Sequence, residues 1–297
     1  MGREVRRYRP ELERSRAALH AAVAERAARY RVARGVHDES RQVDPARRVG
    51  TAEVARPAPL HDIPQLIVST ILLGGIYALI AVGLTLIFGV MRVVNFAHGE
   101  FLMLAMYVAF WAFSLLRSDP YLTLVVSLPL FFAAGWLSYR AVMRPVIQAS
   151  HTVQIFTTVG LSIALQNVAL VLWTADARFV RTDYYAAIVR LFGAAFNVAQ
   201  IVAFAIAVAA TAALFAFMRW SYTGKLMRAT AQDRDASSLM GIDTDRVYAV
   251  TWAVGITCVG VAGVLLAPIY PVYPTAGLQF VLIAYVAVVL GGLGDMA

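Results

Sequence analysis

The stretch "VMRVVNFAHGEFLMLAMY", residues 90–107, sets Arg92, Asn95, His98 and Glu100 between two long apolar runs. Successive residues of a regular helix turn by about 100°, so His98 and Glu100 on one uninterrupted helix would point roughly 200° apart, leaving one of them toward lipid. A charged group at mid-bilayer is expensive. Either the helix breaks near Gly99, with irregular backbone lining a cavity, or both faces are packed in protein. A third reading makes residues 92–100 a short turn in water between two helices.

The surrounding chain decides that a bilayer is the setting. Of 297 residues, 60% are hydrophobic and only 15% are charged, and the mean hydropathy is +0.67, well outside the usual soluble range. About seven apolar runs follow one another, at 63–90, 95–116, 121–139, 152–172, 197–218, 248–270 and 279 onward. Most have the length of a single helical crossing. The expected fold is therefore an all-α, polytopic integral membrane protein with at least one broken or re-entrant element.

Charge divides the chain in two. Residues 1–60 hold 14 Arg against 8 acidic residues, leaving 12 Lys/Arg (26 − 14) against 10 acidic residues (18 − 8) for residues 61–297. The first segment lacks the apolar core of a secretory signal. Its stretch 11–35 suits a surface helix, with Glu25 and Arg29 paired at i,i+4 and Gly35 as a C-cap. A basic helix that binds anionic lipid, a tail without packed structure, and residues upstream of the true translation start all fit this 1–60 extension. The membrane portion is 61–297.

Loop charge orients the spans. Arg140 and Arg144, and then Arg219, Lys225, Arg228, Arg234 and Arg246 in the 219–247 loop, belong in the cytoplasm by the positive-inside rule. The loop "WTADARFVRTDYYAAIVR" then lies outside with three Arg of its own. Strict alternation carried back from there leaves the Arg-rich N-terminus outside as well, against the same rule. A re-entrant element within residues 63–107 is expected to repair that parity, since a 28-residue run makes a helix of about 42 Å.

Thr157, Thr158, Gln166 and Asn167 interrupt the fourth run, where amides glue neighbouring helices or contact a solute. Gly74, Gly75, Gly255, Gly260 and Gly263 suit close helix approach. "APIYPVYPTAG" spaces Pro268, Pro271 and Pro274 by three, which breaks helix and suggests a turn at a membrane face, with Tyr270 and Tyr273 in an interfacial belt. Cys258 stands alone, so no disulfide framework exists. No catalytic constellation is evident. Only His98 and His151 lie in the membrane part, too few for an expected metal site.

The loop "RWSYTGKLMRATAQDRDASSLMGIDTDRV" reads as one helix from about Lys225 to Met240. Ala229, Ala236 and Met240 share a face, Gly241 is the C-cap, and Asp243 caps the next helix. "SYTGKLM" lacks both the earlier Gly and the hydroxyl of a phosphate loop, so this chain is not expected to hydrolyse ATP.

"GLTLIFGVMRVVNFAHGEFLMLAMY", residues 83–107, resembles the signature region of the permease subunits of branched-chain amino-acid ABC importers. The resemblance continues through "TVGLSIALQNVALVLW", "LMGIDTDRVYAVTWAVG", "GVAGVLLAPIYPVYPTAGL" and "AVVLGGLG", covering residues 63–294. It implies a multi-pass subunit of the bacterial inner membrane. The partners it implies are a second homologous permease, two ATP-binding subunits and a periplasmic substrate-binding protein, with lipid around the spans, no nucleic acid, no cofactor in this chain, and ATP used by the partners. It also implies that the 225–241 helix docks on the ATPase. Against the family pattern, residues 1–60 are extra, and relatives are expected to continue beyond "GGLGDMA".

The expected function is translocation of branched-chain or related hydrophobic amino acids by alternating access. Asn95, His98, Glu100, Gln166 and Asn167 are the transport-path candidates, and Ala229, Ala236, Met240 and Gly241 the ATPase-coupling candidates. A permease for urea or short amides is one alternative. A proton-coupled carrier using His98 and Glu100 as a relay is another.

Overall fold

The computed structural model describes residues 63–117, 119–180, 188–191 and 194–292. The N-terminal extension and the helix expected within it lie outside these residues. Among them the protein is all-α apart from one small hairpin. In chain order the elements are α1 (Ile63–Met91), α2 (His98–Leu116), α3 (Leu124–Ser138), α4 (His151–Trp173), strands β1 (Ile188–Leu191) and β2 (Ala194–Asn197), α5 (Val198–Trp220), α6 (Tyr222–Gln232), α7 (Arg234–Leu239), α8 (Thr244–Leu266) and α9 (Ala276–Leu290). A wide turn at Tyr139–Met143 and a tight one at Arg144–Val146 extend α3. β1 and β2 pair antiparallel, from Ile188 opposite Asn197 to Leu191 opposite Ala194. Among the described residues, six helices are long and apolar enough to cross a membrane, and α9 is a shorter apolar helix. The chain is a multi-pass membrane protein.

In lipid, helices gain little from hiding apolar surface, so close backbone approach through small residues does the packing. α8 is the hub, packed against α1, α2 and α3 and buried along most of its length. Its glycines each seat a different neighbour. A Cβ on Gly255 would meet the Gly83 carbonyl of α1 at 2.8 Å, one on Gly260 the Phe131 ring of α3 at 2.6 Å, and one on Gly263 the Ala105 Cβ of α2 at 2.6 Å. Gly75 likewise lies under the Phe204 ring of α5. The polar ends are tied as well: Tyr139 donates to Asp245 at 2.9 Å, Asp245 pairs with Arg144 at 3.1 Å, and Trp252 donates to Ser138 at 3.1 Å. These bonds gather Arg144 and the start of α8 at one basic end of the bundle.

A break is present, but at residues 92–97 rather than near Gly99, which lies within α2, and both faces of α2 at His98 and Glu100 are packed in protein; a second break follows α8. α1 stops at Met91, and six residues without helical structure lead to His98, whose Nε2 lies 3.2 Å from the Ile80 carbonyl. From Ile80 to Met91 α1 rises about 16 Å, so residues 92–97 return toward the centre of the bundle and α2 starts there. After α8, residues 267–275 are again non-helical, and Gly277 at the start of α9 packs backbone to backbone on Gly99. α9 then heads for the basic end, since Tyr285 packs at a tilt against Phe96 with centroids 5.3 Å apart. α2 leaves in the opposite sense. Each helix of the α1/α2 pair packs against each of the α8/α9 pair.

Two expectations change. The re-entrant segment leaves the parity as it was: α1 and α2 still run in opposite directions, so α1 begins at the end away from the basic loops, beside the first half of α5 through Leu72 and Phe204. Nor is the proline stretch only a turn at the surface. Tyr270 packs edge-on to Phe280 at 5.3 Å, inside the fold rather than in an interfacial belt, because residues 267–275 descend between helices. Arg178, in the loop after α4, has a structural use: it donates to the Trp173 carbonyl at 2.8 Å, covers the rings of Phe110 and Trp111, and its backbone pairs with Val272.

The glycine contacts set an ordered expectation for stability. Gly277→Val and Gly255→Val overpack a backbone crossing and should cost about 1–3 kcal/mol. Gly160→Ala, where a Cβ meets nothing within 4 Å, should gain up to about 1 kcal/mol from helix propensity. Melting of the detergent-solubilised protein checks this, and equal shifts for the two classes would refute the crossing as the packing determinant.

Candidate functional site

Residues 92–100 form a site because local chemistry first stops a helix and then restarts one. Arg92 takes a left-handed φ of 55°, its N–H still bonded to the Phe88 carbonyl at 2.7 Å, and so terminates α1. The β-branched Val93 and Val94 then favour extended backbone. The Asn95 side-chain oxygen accepts from the Ala97 N–H at 3.1 Å, a local turn that starts α2. Extended backbone at membrane depth needs partners for its polar groups. Thr158 of α4 supplies one, its hydroxyl 3.1 Å from the Val94 carbonyl.

His98 and Glu100 leave the new helix on different sides, and both sides are covered. A carbonyl only accepts, so His98 holds its hydrogen on Nε2 and donates to Ile80 of α1. Glu100 points to α4, where its Oε1 accepts from the Ser162 hydroxyl at 3.1 Å and the Gln166 amide at 2.7 Å. Ser162 and Gln166 lie four residues apart, on one helix face. Asn95, His98 and Glu100 have no solvent exposure in the chain. One polar atom of each, Asn95 Nδ2, His98 Nδ1 and Glu100 Oε2, has no hydrogen-bond partner among the described residues.

These bonds matter to α4, since most of its surface is exposed and its buried residues are mainly polar. Gln154 anchors its start by donating to the Ile147 and Ala149 carbonyls at 2.9 and 3.2 Å, and Trp173 at its end stacks on Tyr107 at 4.1 Å. The Glu100 bonds hold its middle. α4 is therefore held by the local Gln154 bonds at its start, by polar bonds from Thr158, Ser162 and Gln166 along its middle, and by a ring stack at its end.

At the basic end, the expected continuous helix is two. Asp233 adopts extended backbone (φ −150°, ψ 111°), ending α6, and its carboxylate caps α7 by accepting from the Ala236 N–H at 2.9 Å. Asp and its neighbours compete with helix by capping, which is why the stretch breaks there. Ala229 is consequently half-buried on α6, whereas Ala236 is exposed on α7. The C-cap is as expected: Gly241 has φ +80°, with Gly241 N–H bonded to Ser238 and Ile242 N–H to Ser237, a complete Schellman motif. Asp243 caps α8 through the Arg246 N–H at 3.0 Å. Just before Gly241, Leu239 and Met240 are 89% and 83% exposed. Behind this loop lies a cavity of about 730 Å³, lined by Arg92, Gln154, Thr230, Arg234, Asp235 and Tyr248 among others. It joins the end of α1 to the α6–α7 break.

The profile of the branched-chain amino acid transport system permease component family matches residues 66–297. The chain belongs to this family. It is 35% identical over 237 residues to the high-affinity branched-chain amino acid transport system permease protein LivH of Salmonella typhimurium, covering 75% of this chain and 77% of LivH. It is 30% identical over 253 residues to the corresponding BraD protein of Pseudomonas aeruginosa, covering 81% and 82%. A probable LivH of Methanocaldococcus jannaschii is 26% identical over 235 residues, covering 75% and 72%. No solved structure matches.

Within this permease, the structure brings Asn95, His98, Glu100 and Gln166 into one buried region. It leaves Asn167 apart: that amide faces outward and donates to its own helix at Ile163, 2.7 Å away. Sequence reasoning missed Ser162 and Leu239. Ser162 was readable as the residue four before Gln166, and Leu239 as an apolar pair with Met240 in a polar loop. Among the described residues, no three His, Cys, Asp or Glu side chains converge as metal ligands would.

The Glu100 link can be measured as a coupling. Glu100→Ala strands Ser162 and Gln166, and buried polar groups without partners cost about 1–3 kcal/mol. In a double-mutant cycle with Gln166→Leu, the two changes should be non-additive by about 0.5–3 kcal/mol in melting experiments. Glu100→Gln, which keeps an acceptor oxygen, should lose less. Strict additivity would show that the bonds contribute nothing to holding α4.

Proposed function

We propose that this permease subunit moves branched-chain or related hydrophobic amino acids across a bacterial inner membrane, driven by separate ATP-hydrolysing subunits. The family match over residues 66–297, to relatives named as branched-chain amino acid permeases, carries this reading. A second homologous permease, two ATPase subunits and an extracytoplasmic binding protein complete the importer. The basic end faces the cytoplasm.

Energy enters at α6–α7. Leu239 and Met240 are apolar side chains in water beside a rigid Schellman turn, which suits a knob seated in a groove of the ATPase. Movement of α7 reaches the end of α1 across the shared cavity, then the 92–97 segment, and then the Glu100 bonds to α4. Because those bonds are polar and few, α4 can change its seat against α2 without remaking an apolar core. The proton-coupled alternative finds no such support, because His98 and Glu100 turn to different helices instead of forming a relay.

The reading is tested by coexpressing the subunit with its neighbouring transporter genes and measuring uptake into proteoliposomes. Leucine uptake should need internal-side ATP and survive collapse of the proton gradient. Uptake that ignores ATP, or that admits urea and excludes leucine, would overturn it. Leu239→Asp, Met240→Asp and Gly241→Val should each leave membrane insertion intact, yet lose copurifying ATPase or substrate-stimulated hydrolysis. Normal stimulated hydrolysis in all three would remove the coupling role.

A further inference from the structure

α9 presents one continuous exposed stripe through Thr275, Gln279, Leu282, Val286 and Val289, at the i, i+4, i+7, i+11, i+14 spacing of a helix face. The stripe changes character along its length. Toward the basic end it is aliphatic, as a lipid-facing surface would be, but its first two members are polar.

Those two lie near the middle of the bundle. Tyr77 is the central residue of α1, and its ring pairs with Phe280, next to Gln279, at 6.0 Å. Gly277, between Thr275 and Gln279, rests on Gly99. Exposed and half-buried hydroxyls elsewhere in the spans are often satisfied locally: those of Thr70, Thr85, Thr157 and Thr257 return to carbonyls four residues back, as does that of buried Thr251, and the exposed Asn167 amide does the same; the polar atoms left without a partner, such as Ser127 Oγ and the Tyr107 and Tyr285 hydroxyls, are buried in the protein. Thr275 makes no such capping bond, and the Gln279 side chain has no partner among the described residues. An exposed, unsatisfied amide at mid-membrane is unfavourable against hydrocarbon, which has nothing to donate or accept. It is stable against water.

We propose that Thr275 and Gln279 face the aqueous translocation path and hydrogen-bond the polar end of the passing solute, while Leu282 and Val286 form the apolar wall beside it. The solute class rests on the transport reading given above. The solvent-facing position does not, because it follows from exposure, depth and missing partners alone.

The test uses the assembled transporter in a Cys258→Ala background. Gln279→Cys and Thr275→Cys should react with a charged, membrane-impermeant thiol reagent. Val208→Cys, exposed in the middle of the apolar α5, should not. Gln279→Leu should raise the KM for leucine uptake about tenfold, the scale of one hydrogen bond to a charged group, with unchanged amounts of folded protein. Gln279→Asn should recover part of that loss. Absence of labelling, labelling equal to Val208→Cys, labelling that disappears only when the second permease is present, or an unchanged KM in Gln279→Leu would each overturn the proposal. If the unmodified transporter carries no amino acid, the substrate reading fails, whereas labelling at both positions still establishes the path.

Discussion

The fold hangs on backbone contact at mid-membrane. Gly83 meets Gly255 and Gly99 meets Gly277, and His98 lies beside Gly83, so both crossings share one small region. Hydrocarbon supplies no solvophobic force between helices, so the contact must come from how closely main chains can approach. A side chain at any of the four positions would hold two helices apart. That closeness lets two helices begin inside the membrane, since the irregular segments before α2 and α9 are then enclosed by protein.

Enclosure has a polar cost, which is met unequally. The Val94 carbonyl, the Ala97 N–H and Glu100 Oε1 find partners, while one atom each of Asn95, His98 and Glu100 does not. Natural interiors carry few such orphans, and they concentrate where a protein does work. Here the Glu100 orphan stands beside α4, whose only buried apolar residue is Ala169 and which bonds Glu100 through Ser162 and Gln166. A helix held mainly by a few polar bonds and one ring stack can be displaced at lower cost than one keyed into α8 by glycine contacts. The weakly and tightly packed helices of the permease are thus distinguished by the chemistry that holds them.

The loop at the basic end repeats this division. α6 is anchored through buried Gly224 and Met227 and through the Arg228 bond to the Met218 carbonyl. α7 carries its apolar residues outward, beyond the Asp233 break. One helix belongs to the membrane bundle and the other is available to a partner. The cavity between them opens on the end of α1, immediately before the re-entrant segment.

Composition and periodicity alone determined that the chain is an all-α membrane protein, and where its spans fall, because bilayer thickness and the 1.5 Å helical rise leave little freedom in an apolar run of 20 residues. Local chemistry was equally readable where a residue acts on its immediate neighbours: the Gly241 cap, the Asp243 cap and the break before His98 need only backbone conformation and a nearby side chain. Tertiary structure decided everything that depends on which helix lies opposite. From the sequence, Asn95, His98 and Glu100 were equally compatible with a water-exposed turn, and only the positions of Ile80, Ser162 and Gln166 show them enclosed. Asn167 adjoins Gln166 in sequence, yet their 100° separation gives one to Glu100 and the other to its own helix. Thr275 and Gln279 drew no notice in a stretch dominated by prolines and tyrosines, because an unpartnered amide becomes informative only when its depth and exposure are known.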